Sequence, residues 1–330
     1  MAKTDPSYPL FPICAFLGFV FALIPLPWHM QSWNSGTCFF MAWTALACLN
    51  QFVNSVVWAG NVLNPAPWWC EISIRIYLGA SVGIPASSFC IVRRLYLIST
   101  LKPIATTRPE KRRAVFVDSL FCVLFPVIYI AMQYIVQGHR YNIFEDIGCY
   151  PAIYNTLLSY FISMMWPVVI GVASAVYCLL SLYHFNQRRT ACASLLSGSP
   201  GLSVTRYFRL MALAATELCC TTPLGTFFIA INAAGGQVQP WISWAWVHYG
   251  YSRVSLYPAI IWRADKKNEA AMELSRWLAP FCAIVFFAYF GFAVEARRVY
   301  LKVWHRVRRY CCRVLKLKMS GVDREKGFVL

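Results

Sequence analysis

Apolar residues fall along this chain in seven blocks of about twenty or more, set apart by short polar segments. A helix needs about 20 apolar residues to cross the roughly 30 Å hydrocarbon core of a bilayer. Each block therefore predicts a membrane-spanning helix. The blocks run from about Tyr8 to Pro27, Gly36 to Gly60, Cys70 to Val92, Phe116 to Val136, Leu157 to Tyr183, Tyr207 to Asn232 and Leu274 to Val294. The predicted fold is an all-α integral membrane protein, a seven-transmembrane helix bundle over residues 1–294 with a basic cytoplasmic tail over 295–330. No cleavage pattern follows the first block, which is expected to stay and act as the insertion signal.

A further apolar stretch, Trp241 to Trp262, is long enough to imitate an eighth span but carries His248 and Arg253. Charge decides against that. With seven spans and the N-terminus outside, the inward segments hold 22 of the 30 Lys and Arg residues, eleven of them after Val294. An eighth span would put those eleven outside, against the preference of basic segments for the cytoplasm. Trp241 to Trp262 is read as a long outer loop, partly helical and lying at the interface, where Trp and Tyr are favoured.

Composition narrows the function classes. The chain is 59% hydrophobic and 13% charged, the latter about half the ordinary soluble share. A net charge of +17 does not point to nucleic acid, because the basic residues sit between the apolar blocks. Pro85, Pro126, Pro167, Pro223 and Pro280 lie inside blocks and predict kinks, either hinges or ordinary membrane-helix prolines. No internal repeat relates the two halves, which weakens a transporter of inverted repeats.

Several residues are candidates for chemistry. Cys70 opens the third block, and Cys149 lies in the second outer loop within EDIGCYP. On an oxidising face the two are placed to form a disulfide holding the loop over the bundle; the alternative is two free thiols. Glu217 reads as the one acid deep in a span, either part of a switch or a protonated carboxyl bonded to Thr, Ser or Asn. Asn50, Asn54, Ser87, Ser88, Thr221 and Thr222 are candidates for a polar network, with Pro85 and Pro223 as its hinges. Arg93, Arg94, Arg206 and Arg209 stand at inner helix ends, where they face either acidic groups of a cytosolic partner or lipid phosphates. The tail places Val299, Val303, Val307, Tyr310 and Val314 at helical spacing among basic residues, the pattern of an amphipathic interfacial helix bound to membrane lipids. Cys311 and Cys312 there are candidates for palmitoylation.

Enzyme chemistry is not expected. The five histidines are scattered, no metal-ligand set or phosphate loop is evident, and the seventh block has no Lys for a retinal Schiff base. No cofactor or metal is implied. A channel or transporter is the alternative from another class, and it calls for several pore-facing charges within the spans.

The segments LPWHMQSWN at 26–34, LNQFVNSVVW at 49–58, GIPASSFCIVRRLY at 83–96, RYFRLM at 206–211, WISWAWVHYGYSRVSLYP at 241–258 and FFAYFGFAVEARRVY at 286–300 resemble the fungal receptors for a-factor-like mating pheromones, the class D G-protein-coupled receptors. The resemblance implies a plasma-membrane receptor for a short, farnesylated, carboxymethylated peptide, coupled through Gα of a heterotrimeric G protein to a MAP kinase cascade. On that reading Trp68, Trp69, Trp241, Trp244, Trp246, Tyr249 and Tyr251 offer aromatic surface to an isoprenyl chain, and Glu71, Arg75, His248 and Arg253 orient the peptide's polar groups. A cleft opening beside Arg93, Arg94 and Arg206 then admits the Gα C-terminus.

Overall fold

Inside a bilayer every backbone N–H and C=O must find a partner within the protein, and a helix achieves this within one segment. The computed structural model describes residues 5–101, 107–192, 203–235, 238–292, 296–297, 301, 304–305 and 308–309. Seven helices among them are long and apolar enough to span a membrane. They are α1 (Leu10–Gln31, interrupted at Ile24 and Pro25), α2 (Ser35–Val57), α3 (Pro67–Ser99), α4 (Arg108–Val136), α5 (Leu157–Gln187), α6 (Val204–Gly235) and α7 (Lys266–Phe290). The chain is a multi-pass membrane protein. Cys311 and Cys312, with most of the tail, lie outside the described residues.

Helices α4 and α7 start well before their apolar blocks because capping groups support polar turns. The first turn of α4 begins eight residues before Phe116, with the Glu110 carboxylate accepting from the Thr107 N–H at 3.3 Å. In α7 the Asp265 carboxylate accepts from Lys267 N–H at 3.0 Å, so the helix starts at Lys266 rather than Leu274. Helix α3 continues past Val92 through Arg93 and Arg94 to Ser99. Pro85, Pro223 and Pro280 are interior to α3, α6 and α7. Pro126 and Pro167 instead follow widened π turns at Leu120–Leu124 and Tyr160–Met164, the local adjustment that accommodates a missing donor.

Helix α3 is central, packing against α2, α4, α5 and α6, while α1 lies against α2 and α7. At one end of the bundle a large aromatic and aliphatic core joins Phe40, Leu95, Phe185, Tyr207, Met211 and Phe286. Midway, small residues let α1, α2 and α7 approach closely: Ala22, Ala45, Cys48, Ala279 and Ala283 form one buried seam. Gly83 of α3 makes room for Trp43, since a Cβ there would lie 2.5 Å from the indole Nε1.

The opposite end is covered by a three-stranded sheet. Strands β1 (Tyr141–Phe144) and β2 (Gly148–Tyr150) form an antiparallel hairpin between α4 and α5, and β3 (Val254–Tyr257) pairs with β1 in parallel register, Tyr141 opposite Val254. The stretch Trp241 to Trp262 is thus a loop containing β3 and two short helical turns, Trp244–Val247 and Ala259–Trp262.

Candidate functional site: the covered end and the arginine-rich end

The cover is bound to the bundle at several points. A disulfide joins Cys149 of β2 to Cys70 in the first turn of α3, their Cα atoms 5.2 Å apart. Gly148 adopts φ +89°, and a Cβ there would lie 2.7 Å from Cβ of Asn54, so only glycine lets the hairpin settle this closely on α2. Asp146 at the hairpin tip accepts from Gly60 N–H at 2.9 Å and donates its own N–H to the Trp58 carbonyl at 2.9 Å. Arg276 of α7 is buried beneath the tip. Its guanidinium meets both carboxylate oxygens of Asp5 at 3.0–3.1 Å, Ser7 Oγ at 2.6 Å and Glu273 at 2.7 Å, and donates to the Asp146 carbonyl at 3.3 Å. Burial works to raise the Asp5 carboxyl, but the Ser7 backbone bond, the Arg276 charge and the Ser7 hydroxyl outweigh it and hold Asp5 below its ordinary value.

Residues proposed from sequence as ligand contacts occupy two neighbouring groups around β1. In the first, Glu71 pairs with Arg75 at 2.7 Å and with Arg140 at 2.6 Å. Trp69 donates from Nε1 to Asn54 Oδ1 at 2.8 Å, while Trp68 is exposed. Asn54 in turn donates to Ser73 Oγ at 2.9 Å, which makes it a bridge between α2 and α3. In the second, His248 stacks on Trp244 with centroids 4.1 Å apart, and Tyr134 and Tyr251 lie against it. Trp241, Trp246 and Tyr249 are exposed on the same loop. Arg253 approaches His139 Nδ1 at 3.4 Å, and its carbonyl accepts from Arg140 N–H at 3.2 Å, which links the groups. His139 donates from Nε2 to Asn142 at 2.6 Å. Burial and then the nearby Arg253 charge hold its imidazole below the ordinary value, against the Asn142 bond.

Beneath the cover lie two small adjacent cavities of about 30 and 90 Å³ that share Asn50, Gln51, Tyr77 and Ser275 as lining. Sequence reasoning singled out Asn50 but missed Gln51, Tyr77, Ser275 and Arg276. Arg276 was legible as a charge two residues into an apolar block; Tyr77 carries no such signal.

At the arginine-rich end Arg93, Arg94 and Arg206 are engaged within the bundle. Arg93 pairs with Asp118 of α4 at 3.0 Å, and Ser35 of α2 donates to the same carboxylate. Asp118 is 7% exposed, so Glu217 is not the one buried acid of the spans. Arg94 donates to the Trp33 carbonyl at 2.8 Å. Arg206 is buried, with His29 Nδ1 at 3.3 Å and Ser32 Oγ at 3.4 Å, and Arg209 is half-buried. Glu217 is buried at mid-helix and accepts from Thr221 Oγ1; among the described residues no Lys or Arg forms an ion pair with it.

Seven candidate spans with a disulfide-anchored cover at one end define a seven-helix membrane protein. Residues 10–310 match the family described as Pheromone A receptor, and the chain belongs to that family. It is 58% identical over 95% of its length to the pheromone B alpha 3 receptor of Schizophyllum commune, of which the match covers 49%. It is 32% identical over 91% of its length to pheromone receptor 1 of Mycosarcoma maydis, covering 84% of that protein, and 22% identical over 86% to the pheromone a factor receptor of Saccharomyces cerevisiae, covering 59%. The chain spans about half the length of the Schizophyllum B alpha relatives it matches.

Proposed function

We propose that this chain is a plasma-membrane G-protein-coupled receptor for a farnesylated peptide pheromone, with the covered end outside and the arginine-rich end in the cytosol. The observation that carries the reading is the asymmetry between the ends. One bears a disulfide, which needs an oxidising compartment. The other gathers Arg93, Arg94, Arg206 and Arg209, as basic residues gather on the cytoplasmic side.

The aromatic loop around Trp244 and His248 meets the peptide, and the ion cluster of Glu71, Arg75 and Arg140 orients it. Binding favours an arrangement in which the cytosolic ends of α3, α5, α6 and α7 part. The Arg93–Asp118 and Arg206–His29 contacts tie α3 to α4 and α6 to α1 in the resting state, and the ligand shifts the balance only by its preference for the open one. The opened cleft receives the Gα C-terminus.

Expression in a mating-pathway reporter strain tests this directly. A reporter response to at least one farnesylated peptide, absent for its unlipidated form, is expected. Silence with every peptide despite surface display overturns the reading.

A further inference from the structure

We propose that the ligand's lipid chain sits in the gap between the covered halves of α6 and α7, reached sideways from the bilayer, with the ligand's polar end turned inward toward Asn50 and Gln51. This rests on the reading of the chain as a receptor for a lipidated peptide.

The gap measures about 580 Å³, within the roughly 300–1,000 Å³ of small-molecule sites. Its walls are apolar: Pro223, Leu224 and Phe227 from α6, Trp277, Leu278 and Phe281 from α7. Leu278 is also a wall of the 90 Å³ inner cavity, together with Asn50, Gln51, Thr221 and Ser275. The gap and the polar interior therefore meet at one side chain.

Two acceptors line that interior without a hydrogen-bond partner among the described residues. The atoms Asn50 Oδ1 and Gln51 Oε1 are both buried and unpaired there, Asn50 as a whole being 3% exposed, while the Asn50 amide NH2 donates to the Ser73 carbonyl. Unpaired buried acceptors call for donors, and a peptide N–H is one. Polarity here runs sideways, polar within the bundle and apolar toward the bilayer. A phospholipid has the wrong layout, because its polar group stays at the headgroup level while its tail offers nothing to Asn50 or Gln51. A hydrocarbon chain borne on a peptide end has the right one.

The test uses the full chain in native membranes and an N-acetyl S-farnesyl cysteine methyl ester carrying a diazirine in its isoprenoid. Light is expected to label residues 220–227 and 274–281, and the label to be displaced by the non-photoreactive ester but not by phosphatidylcholine vesicles. Label elsewhere, or equal displacement by phospholipid, overturns the proposal. Leu224→Trp, which fills the gap, is expected to reduce labelling about tenfold or more, while the volume-conserving Leu224→Met retains it and controls for folding. Gln51→Leu is expected to weaken the acetylated probe about tenfold, the effect of one lost buried hydrogen bond, and to leave a probe without the amide unchanged. Labelling of the gap in a receptor silent to every lipidated peptide upholds the chain's seat and overturns only the signalling reading. A peptide response with label elsewhere does the reverse.

Discussion

The indole Nε1 of Trp43 in α2 donates to the backbone carbonyl of Cys122 in α4 at 2.8 Å. The N–H that would reach this carbonyl from one turn along α4 belongs to position 126, which is proline and has none. A neighbouring helix thus supplies the missing donor. The indole reaches it by lying across Gly79 and Gly83 of α3, where any Cβ would intrude.

Trp43→Phe keeps most of the ring but removes the donor. Detergent-solubilised protein is expected to lose about 1–3 kcal/mol of stability, the cost of stranding a buried carbonyl, read as a lowered midpoint in a thermal-shift assay. Gly83→Ala, whose new methyl would fall within 2.5 Å of the indole, is expected to destabilise by a similar or larger amount. A wild-type midpoint in both variants refutes this account.

The bond between Cys70 and Cys149 closes a loop of 79 residues. The double variant Cys70→Ala/Cys149→Ala is expected to lose about 2–5 kcal/mol and with it most surface display. Proteolysis of the β1–β2 hairpin should speed up in the variant and in reductant-treated wild type alike. Equal digestion of the oxidised and reduced forms argues against a role for the bond in holding the cover.

Asp118→Asn releases Arg93 without changing side-chain size. The ion pair is half-sheltered, with Arg93 29% and Asp118 9% exposed at the side chain, so its loss favours the parted state by about 1.4 kcal/mol, or tenfold in population. Basal reporter output is expected to rise accordingly. Output at or below wild type, at matched surface level, refutes a restraining role for the pair.

Acid is expected to loosen the contact between the β1 strand and the loop that follows α6. Its histidine, His139, has a depressed folded-state pKa, so its contribution to stability is complete above the ordinary value of about 6.5 and fades as pH falls from there through the folded value. Protonation ends acceptance at Nδ1 and sets an imidazolium against Arg253. Hydrogen exchange across 139–144 should quicken between about pH 6.5 and lower values, and His139→Gln should flatten that dependence.

The seven spans were legible because twenty-residue apolar blocks have few other uses, and the extra polar turns that open α4 and α7 were not because caps act beyond the apolar signal. Cys70 and Cys149 announced themselves by position at an expected membrane boundary. The sheet was invisible: β3 is a four-residue strand whose partner lies more than a hundred residues earlier, and no local pattern records such a pairing. Charges at the arginine-rich end were identified but not their engagements, since the approach of Asp118 to Arg93 or His29 to Arg206 depends on how helices are rotated about their axes. Glu217 stood out by its depth, whereas Tyr77 and Gln51 look like ordinary wall residues until the cavity they border is seen.

Because β3 belongs to the connection between α6 and α7 yet lies in register beside β1, the roof of the molecule is stitched to the two helices that flank its side opening. On the α7 side the link is short, since only eight residues separate Tyr257 at the end of β3 from Lys266 at the start of the helix. A displacement of the roof therefore has a backbone route to α7 through four residues of shared strand, separate from any relay of side chains through the middle of the bundle.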